Sequence, residues 1–152
     1  MHDSQSLGAY LARLQDLFPR GLVCVNREVS PEFEVSAVLE HLERKGRFPA
    51  ALFTNVCNLQ GEPGHKVAIN LMADRRSIAV ALGMSPGDVG ISLTQEVSRR
   101  ASNPLDFQVV DPAEAPVREV VLRGDDVDLG RYPILRFHEL DGGHYFTVPV
   151  AA

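Results

Sequence analysis

Ala50-Ala51-Leu52-Phe53-Thr54-Asn55-Val56, then Gln60-Gly61-Glu62-Pro63-Gly64, then Lys66-Val67-Ala68-Ile69-Asn70-Leu71 is the stretch whose reading decides the fold class. The outer runs are apolar and β-branched, and they read as strands. The Gly/Pro-rich middle reads as the turn of a hairpin. It lacks the glycine spacing of a phosphate loop and the hydroxyl after the lysine, and it precedes a strand, where such a loop should precede a helix.

Upstream, residues 4–18 carry Leu7, Tyr10, Leu11, Leu14, Leu17 and Phe18 at helical spacing, with Ser4 or Ser6 as cap and Pro19 as stop. Leu22-Val23-Cys24-Val25 predicts a short buried strand ending near Val29. Ser30-Pro31-Glu32 offers a capping hydroxyl, a first-turn proline and an acid, so a second helix is expected from there. Val35, Val38, Leu39 and Leu42 form its inner stripe, and Gly46 ends it.

Downstream, Asp74 caps a helix running to Leu82 and Gly83, and Ser85-Pro86-Gly87-Asp88 starts another that reaches about Arg100. Phe107 to Val110 and Val117 to Leu122 are two further strand candidates around the Asp111-Pro112 turn. Helices interleaved with strands predict an α/β or mixed α+β fold, a mixed sheet flanked by helices.

The tail is more unusual. Asp125, Asp126 and Asp128 alternate with Val127 and Leu129. This pattern predicts a solvated loop with the acids outward and the apolar pair inward, since a calcium loop needs a longer ligand series. Asp141-Gly142-Gly143 turns the chain into the strand candidate His144 to Val150. A strand needs partners for its backbone groups, and this one is expected to find them outside the first domain. The expected organisation is a domain over 1–123 and, over 124–152, a linker and the first strand of a second domain.

A net charge of −5 disfavours a nucleic-acid partner, which wants clustered Lys and Arg. Arg75-Arg76 and Arg99-Arg100 are only pairs with acids nearby. Cys24 and Cys57 form no metal or redox motif and read as small buried hydrophobes. No signal peptide or membrane span is visible, so a cytoplasmic location is the default expectation. His138, Glu139, Asp141 and His144 make the densest ligand-capable cluster, but their spacing across a Gly-Gly turn matches no standard metal site. The preferred reading has Asp141 capping the turn and the histidines at the surface or facing a partner. No nucleophile elbow is present.

In order along the chain, Leu7 to Leu17, Val29 to Glu34, Ala51 to Val56, Ala68-Ile69-Asn70-Leu71 with Arg75-Arg76 and Ala81-Leu82-Gly83, then Asp128-Leu129, Pro133 and Asp141-Gly142-Gly143, resemble the N-terminal region of the UbiD family. Asp74 and Ser77 depart from that family's usual residues. The resemblance implies a UbiD-like N-terminal domain ending in the first strand of a flavin-binding domain. It implies decarboxylation of aromatic or α,β-unsaturated carboxylic acids with prenylated FMN, a divalent metal and a monovalent cation. The family's metal-binding and catalytic motifs do not occur here, so no residue of this chain is assigned a catalytic or metal-binding role. None of those cofactors is expected to bind this chain alone. Only Thr147 is expected to approach the flavin, although Val148-Pro149 departs from the family's glycine-rich continuation. The expected partner is a flavin-domain polypeptide or further copies of the chain, through which a small carboxylic acid is handled. A small subunit, a free-standing binding or regulatory domain derived from the family, and a truncated product are the alternatives.

Overall fold

The computed structural model describes residues 6–107 and 109–146. Three strands form one sheet: β1 (Leu22–Val25), β2 (Ala50–Val56) and β3 (His65–Ile69), in the order β1-β2-β3. β1 and β2 are parallel, with Leu22 opposite Ala50 and Val25 opposite Phe53. β2 and β3 are antiparallel, with Ala51 opposite Ile69 and an irregularity between Phe53 and Val56. The mixed α/β class and the hairpin are therefore as the sequence predicts. The α-helices among the described residues are α1 (Leu7–Leu17), α2 (Glu34–Glu43), α3 (Arg75–Ala81) and α4 (Ile91–Ala101).

β2 is the strand that both faces depend on. On one face Ala51, Phe53 and Val56 pack with Val29, Val35 of α2 and Leu135 of the tail. On the other, Ala50 packs with Tyr10 and Leu14 of α1 and Val80 of α3. A strand covered on both sides can be apolar in successive positions, which is why Ala50 to Phe53 does not alternate. Ser6 caps α1 by accepting the Ala9 N–H, and Asp74 caps α3 by accepting the Arg76 N–H at 2.8 Å. Tyr10 donates its hydroxyl to the Leu71 carbonyl at 2.6 Å, tying α1 to the end of the hairpin. Burial raises the Tyr10 pKa, with Ser77 beside it lowering it in part.

The chain divides into two compact units, one comprising 1–89 with 130–152, the other Gly90–Leu129. In the second unit α4 is braced by Glu96, which takes Arg99 and Arg100 in ion pairs at 2.7 Å. Those two guanidinium groups hold the Glu96 pKa at about 2.

Several expected elements differ. α2 begins at Glu34, not at Ser30. Residues 31–33 are used otherwise: Arg136 donates its N–H to the Pro31 carbonyl, and its carbonyl accepts the Phe33 N–H. Phe33 consequently sits in the left-handed region at φ 64°, a conformation that costs a bulky residue on the order of 1–3 kcal/mol. The strand expected to end near Val29 stops at Val25, but Val29 rejoins the sheet through a parallel bridge to Val56. Ser85 starts a tight turn, closed by the Asp88 N–H on the Ser85 carbonyl, and α4 waits until Ile91. Gly87 and Gly90 are poor helix formers.

The strands expected over 107–110 and 117–122 do not form among the described residues. Phe107, Val109 and Val120 are instead 88%, 81% and 74% exposed. Strand propensity measures fit to a pleated, half-buried surface, and these residues have no such surface. Val127 and Leu129 point outward, not inward. Cys24 is exposed and Cys57 half-buried, so neither is the core hydrophobe expected. The expected tail strand is absent at 144–146, and its remainder lies outside the described residues.

The tail is held by Arg136. Its guanidinium reaches Glu32 at 3.0 Å and the carbonyls of Glu139 and Asp141 at 2.7 and 3.2 Å. Ser36 of α2 donates to the Phe137 carbonyl at 2.7 Å. Asp141 caps its own turn, as expected, by accepting the N–H groups of Phe137 and His138 at 3.1 and 2.8 Å.

Two outcomes follow from this packing. Phe53 is fully buried at the centre of the larger cluster, so Phe53→Ala should lower stability by about 3–5 kcal/mol, read as a fall in the urea midpoint. The His138 and Phe137 N–H groups lower the Asp141 pKa below its ordinary 3.8. A depressed folded value means that this contribution is complete above the ordinary value and is lost as pH falls through the folded one. The amide signals of Phe137 and His138 in NMR should therefore titrate with a midpoint below 3.8, and Asp141→Asn should abolish that titration.

Candidate functional site

Parallel strands deliver their carboxyl ends, and the loops that follow them, to one end of a sheet, where α/β proteins usually bind ligands. Here the loops after β1 and β2 converge with the tail around a cleft of about 470 Å³. Glu28, Ser30 and Glu32 line it from the first loop, Glu34 from the start of α2, Cys57 and Asn58 from the second loop, and His144 from the tail. The hairpin turn is built on Asn58, which is 2% exposed. Its side-chain oxygen accepts the N–H groups of Gln60 and Glu62, and its amide donates to the Glu62 carboxylate, all at 2.9 Å. Leu59 donates its N–H to the Gly130 carbonyl, which fixes where the tail enters.

The electrostatics of this cleft are acidic. Glu34 accepts the Ser30 N–H at 2.6 Å and pairs with Arg27 at 3.1 Å; the first contact, then the second, lowers its pKa. Cys57 is pushed up by burial and then by Glu28 and Glu34. A thiol held protonated is a poor nucleophile, so Cys57 is not set up for covalent catalysis. A carboxylate entering here would meet Glu28, Glu32 and Glu34, which repel it. The cleft suits hydrogen-bond donors, not carboxylic acids.

On the other side of the tail lies an apolar groove of about 320 Å³. Val67 and Ile69 of β3 form one wall, and Tyr132, Phe137, Tyr145 and Phe146 of the tail form the other. Phe137 and Tyr145 pack ring on ring at 5.6 Å. Burial, then the Asp141 charge and a hydrogen bond to its carboxylate, raises the Tyr145 pKa. Lys66 is the cation at its edge.

The cluster His138, Glu139, Asp141 and His144 does not converge. His138 and Glu139 line a depression with Phe33 and, from α2, Glu40, whereas His144 lines the acidic cleft. Among the described residues no group of three or more His, Cys, Asp and Glu could hold a metal ion. Thr147 lies outside the described residues, immediately after Phe146 of the groove. Among the described residues no helix is long and apolar enough to cross a membrane. The acidic cleft itself was not legible in advance. Glu28, Glu32, Cys57 and His144 are far apart in sequence, and only the parallel pairing of β1 with β2 and the docked tail bring them together.

Comparison with known proteins places this geometry. Residues 19–97, more than half of the chain, match the model of the 3-octaprenyl-4-hydroxybenzoate carboxy-lyase N-terminal domain. Residues 108–152 match that of the Rift-related domain of the same carboxy-lyases. A pyrrole-2-carboxylic acid decarboxylase of Pseudomonas aeruginosa is 31% identical over 131 residues, covering 82% of this chain and 26% of that protein. An uncharacterized protein of Synechocystis is 30% identical over 142 residues, covering 82% of this chain and 27% of its own length. Among solved structures, the vanillic acid decarboxylase of Sedimentibacter hydroxybenzoicus in its open form superposes with a TM-score of 0.77 at 26% identity, over 93% of this chain and 29% of that one. An evolved dimeric form of the UbiD-class enzyme HmfF from Pelotomaculum thermopropionicum, in complex with prFMN, gives 0.71 at 28% identity over 95% of this chain and 31% of that one. The chain thus spans between a quarter and a third of the length of these relatives. The two family models, met in order along one chain on the fold described above, show that this chain belongs to the UbiD family of 3-octaprenyl-4-hydroxybenzoate carboxy-lyases.

Proposed function

We propose that this chain serves as the N-terminal domain or small subunit of a UbiD-type decarboxylase acting on aromatic or α,β-unsaturated carboxylic acids, and that it is not catalytic alone. The observation that carries this reading is the clamped tail. Arg136, Ser36 and the Asp141 turn hold residues 130–146 against the sheet, within the segment that matches the Rift-related domain. The segment 124–152 then acts as linker and first strand of a flavin-binding domain, with 1–123 as the N-terminal domain.

In this reading the aromatic groove receives the partner domain. Tyr132, Tyr145 and Phe146 supply apolar contact area, and Thr147 approaches the cofactor. The described residues do not fit a prenylated FMN site with its metal: they bring no ligand set together, and the cleft at the carboxyl ends of β1 and β2 is acidic. No catalytic step is therefore assigned to them. The chain's work is packing and positioning, performed in the cytoplasm with a flavin-domain polypeptide or further copies of itself.

The chain purified from its own cells, measured by native mass spectrometry with an absorbance scan of the same sample, tests this. A complex containing a flavin-bearing polypeptide is expected. A lone chain or homo-oligomer without flavin would overturn the decarboxylase reading in favour of a binding domain. In the complex, Arg136→Ala should release the tail and lower decarboxylation about 10-fold or more, because misplacement of about 1 Å can cost two orders of magnitude in rate.

A further inference from the structure

The opposite end of the sheet has a different chemistry. There β1 and β2 begin, and β3 gives way to α3. A cavity of about 260 Å³ is lined by Phe18, Phe48 and Pro49 together with Arg20, Arg47 and Arg76. Its one acid among the described lining residues is Asp74. That carboxylate is already engaged: it accepts Arg76 Nε at 3.0 Å and Arg76 Nη2 at 2.7 Å, besides the Arg76 N–H. The Arg76 guanidinium also lies 4.4 Å over the Phe18 ring. Asp74 and Phe18 thus fix its plane, leaving Nη1 without a hydrogen bond among the described residues. Gly21 is part of the same arrangement, because a Cβ there would strike the Phe18 ring.

Arg20 and Arg47 make no ion pair with any described residue. In a chain of net charge −5 this is a local surplus of positive charge. Guanidinium groups around one cavity repel each other, and an anion removes that repulsion. Their forked donors match the two oxygens of a carboxylate or phosphate. The phenylalanine and proline walls favour a flat apolar body beside that anion.

We propose that this cavity binds a small aromatic anion, a single ring bearing a carboxylate or a phosphate group. The charged end sits on Arg20 and Arg47, with the Arg76 Nη1 in reach, and the ring packs on Phe48 and Pro49. The site shares no lining residue with the acidic cleft or the aromatic groove and takes none from the tail, so it does not rest on the decarboxylase reading. It binds an effector or a stored ligand without chemistry.

Titrating the isotope-labelled full chain with benzoate, phenyl phosphate, inorganic phosphate and benzyl alcohol, followed by NMR, tests this. Saturable shifts of the Arg20 and Arg47 Nε–H signals with benzoate or phenyl phosphate are expected, and whichever binds more tightly assigns the anionic group. The exposed double variant Arg20→Gln/Arg47→Gln should weaken that binding at least ~10-fold with the melting temperature unchanged, and Phe48→Ala should weaken it too. Benzyl alcohol binding as tightly as benzoate, inorganic phosphate binding as tightly as phenyl phosphate, or affinity unaltered in the double variant would each overturn the proposal. So would the absence of saturable shifts with both aromatic anions.

Discussion

The described structure of the larger unit depends on one main-chain pairing, between residues 31–33 and Arg136. Two hydrogen bonds join segments more than a hundred residues apart in sequence, and they do so where a helix would otherwise begin. Several features near the candidate site go with that contact. It delays α2 to Glu34, forces Phe33 into the left-handed region and seats Leu135 in the core beside Phe53. The Arg136 side chain then holds the Asp141 turn that the same segment makes. A strained residue persists only where surrounding contacts over-determine it. Here the Arg136 backbone supplies them, with its guanidinium 5.2 Å over the Phe33 ring.

The two ends of the sheet differ in sign. At the carboxyl ends of β1 and β2, Glu28, Glu32 and Glu34 line the cleft with Cys57, whose pKa is raised by burial and then by Glu28 and Glu34. At the amino ends, Arg20, Arg47 and Arg76 outnumber Asp74. The acidic end repels an anion, while the arginine-lined cavity attracts one. The apolar groove between β3 and the tail belongs to neither: its contacts are rings and aliphatic chains, the composition of a packing surface.

The smaller unit shows why β propensity alone does not make a strand. Phe107, Val109, Val117, Val120 and Val121 are β-formers, yet all are exposed and unpaired among the described residues. Ladder hydrogen bonds and burial against a second layer stabilise a strand, and neither can be supplied by the strand itself. By contrast, Ala50 to Val56 has a parallel neighbour, an antiparallel neighbour and covered faces, and it pairs at 50–53 and again at Val56.

By itself, the sequence determined the elements whose stability is local. The Ser6 and Asp74 caps, the Gly46 helix end, the 60–64 turn and the Asp141 cap all form as the residue types dictate, because each needs only neighbours a few positions away. The order of family-like motifs also made the relationship to carboxy-lyases legible before any coordinates. Tertiary structure decided what depends on distant partners: the late start of α2, the lack of strands among the described residues of 107–122, the exposure of Cys24, and the outward turn of Val127 and Leu129. It also decided both charged cavities, whose residues come from separate loops and meet only because β1 and β2 run parallel. Pairing and burial are non-local quantities, and no window of sequence contains them.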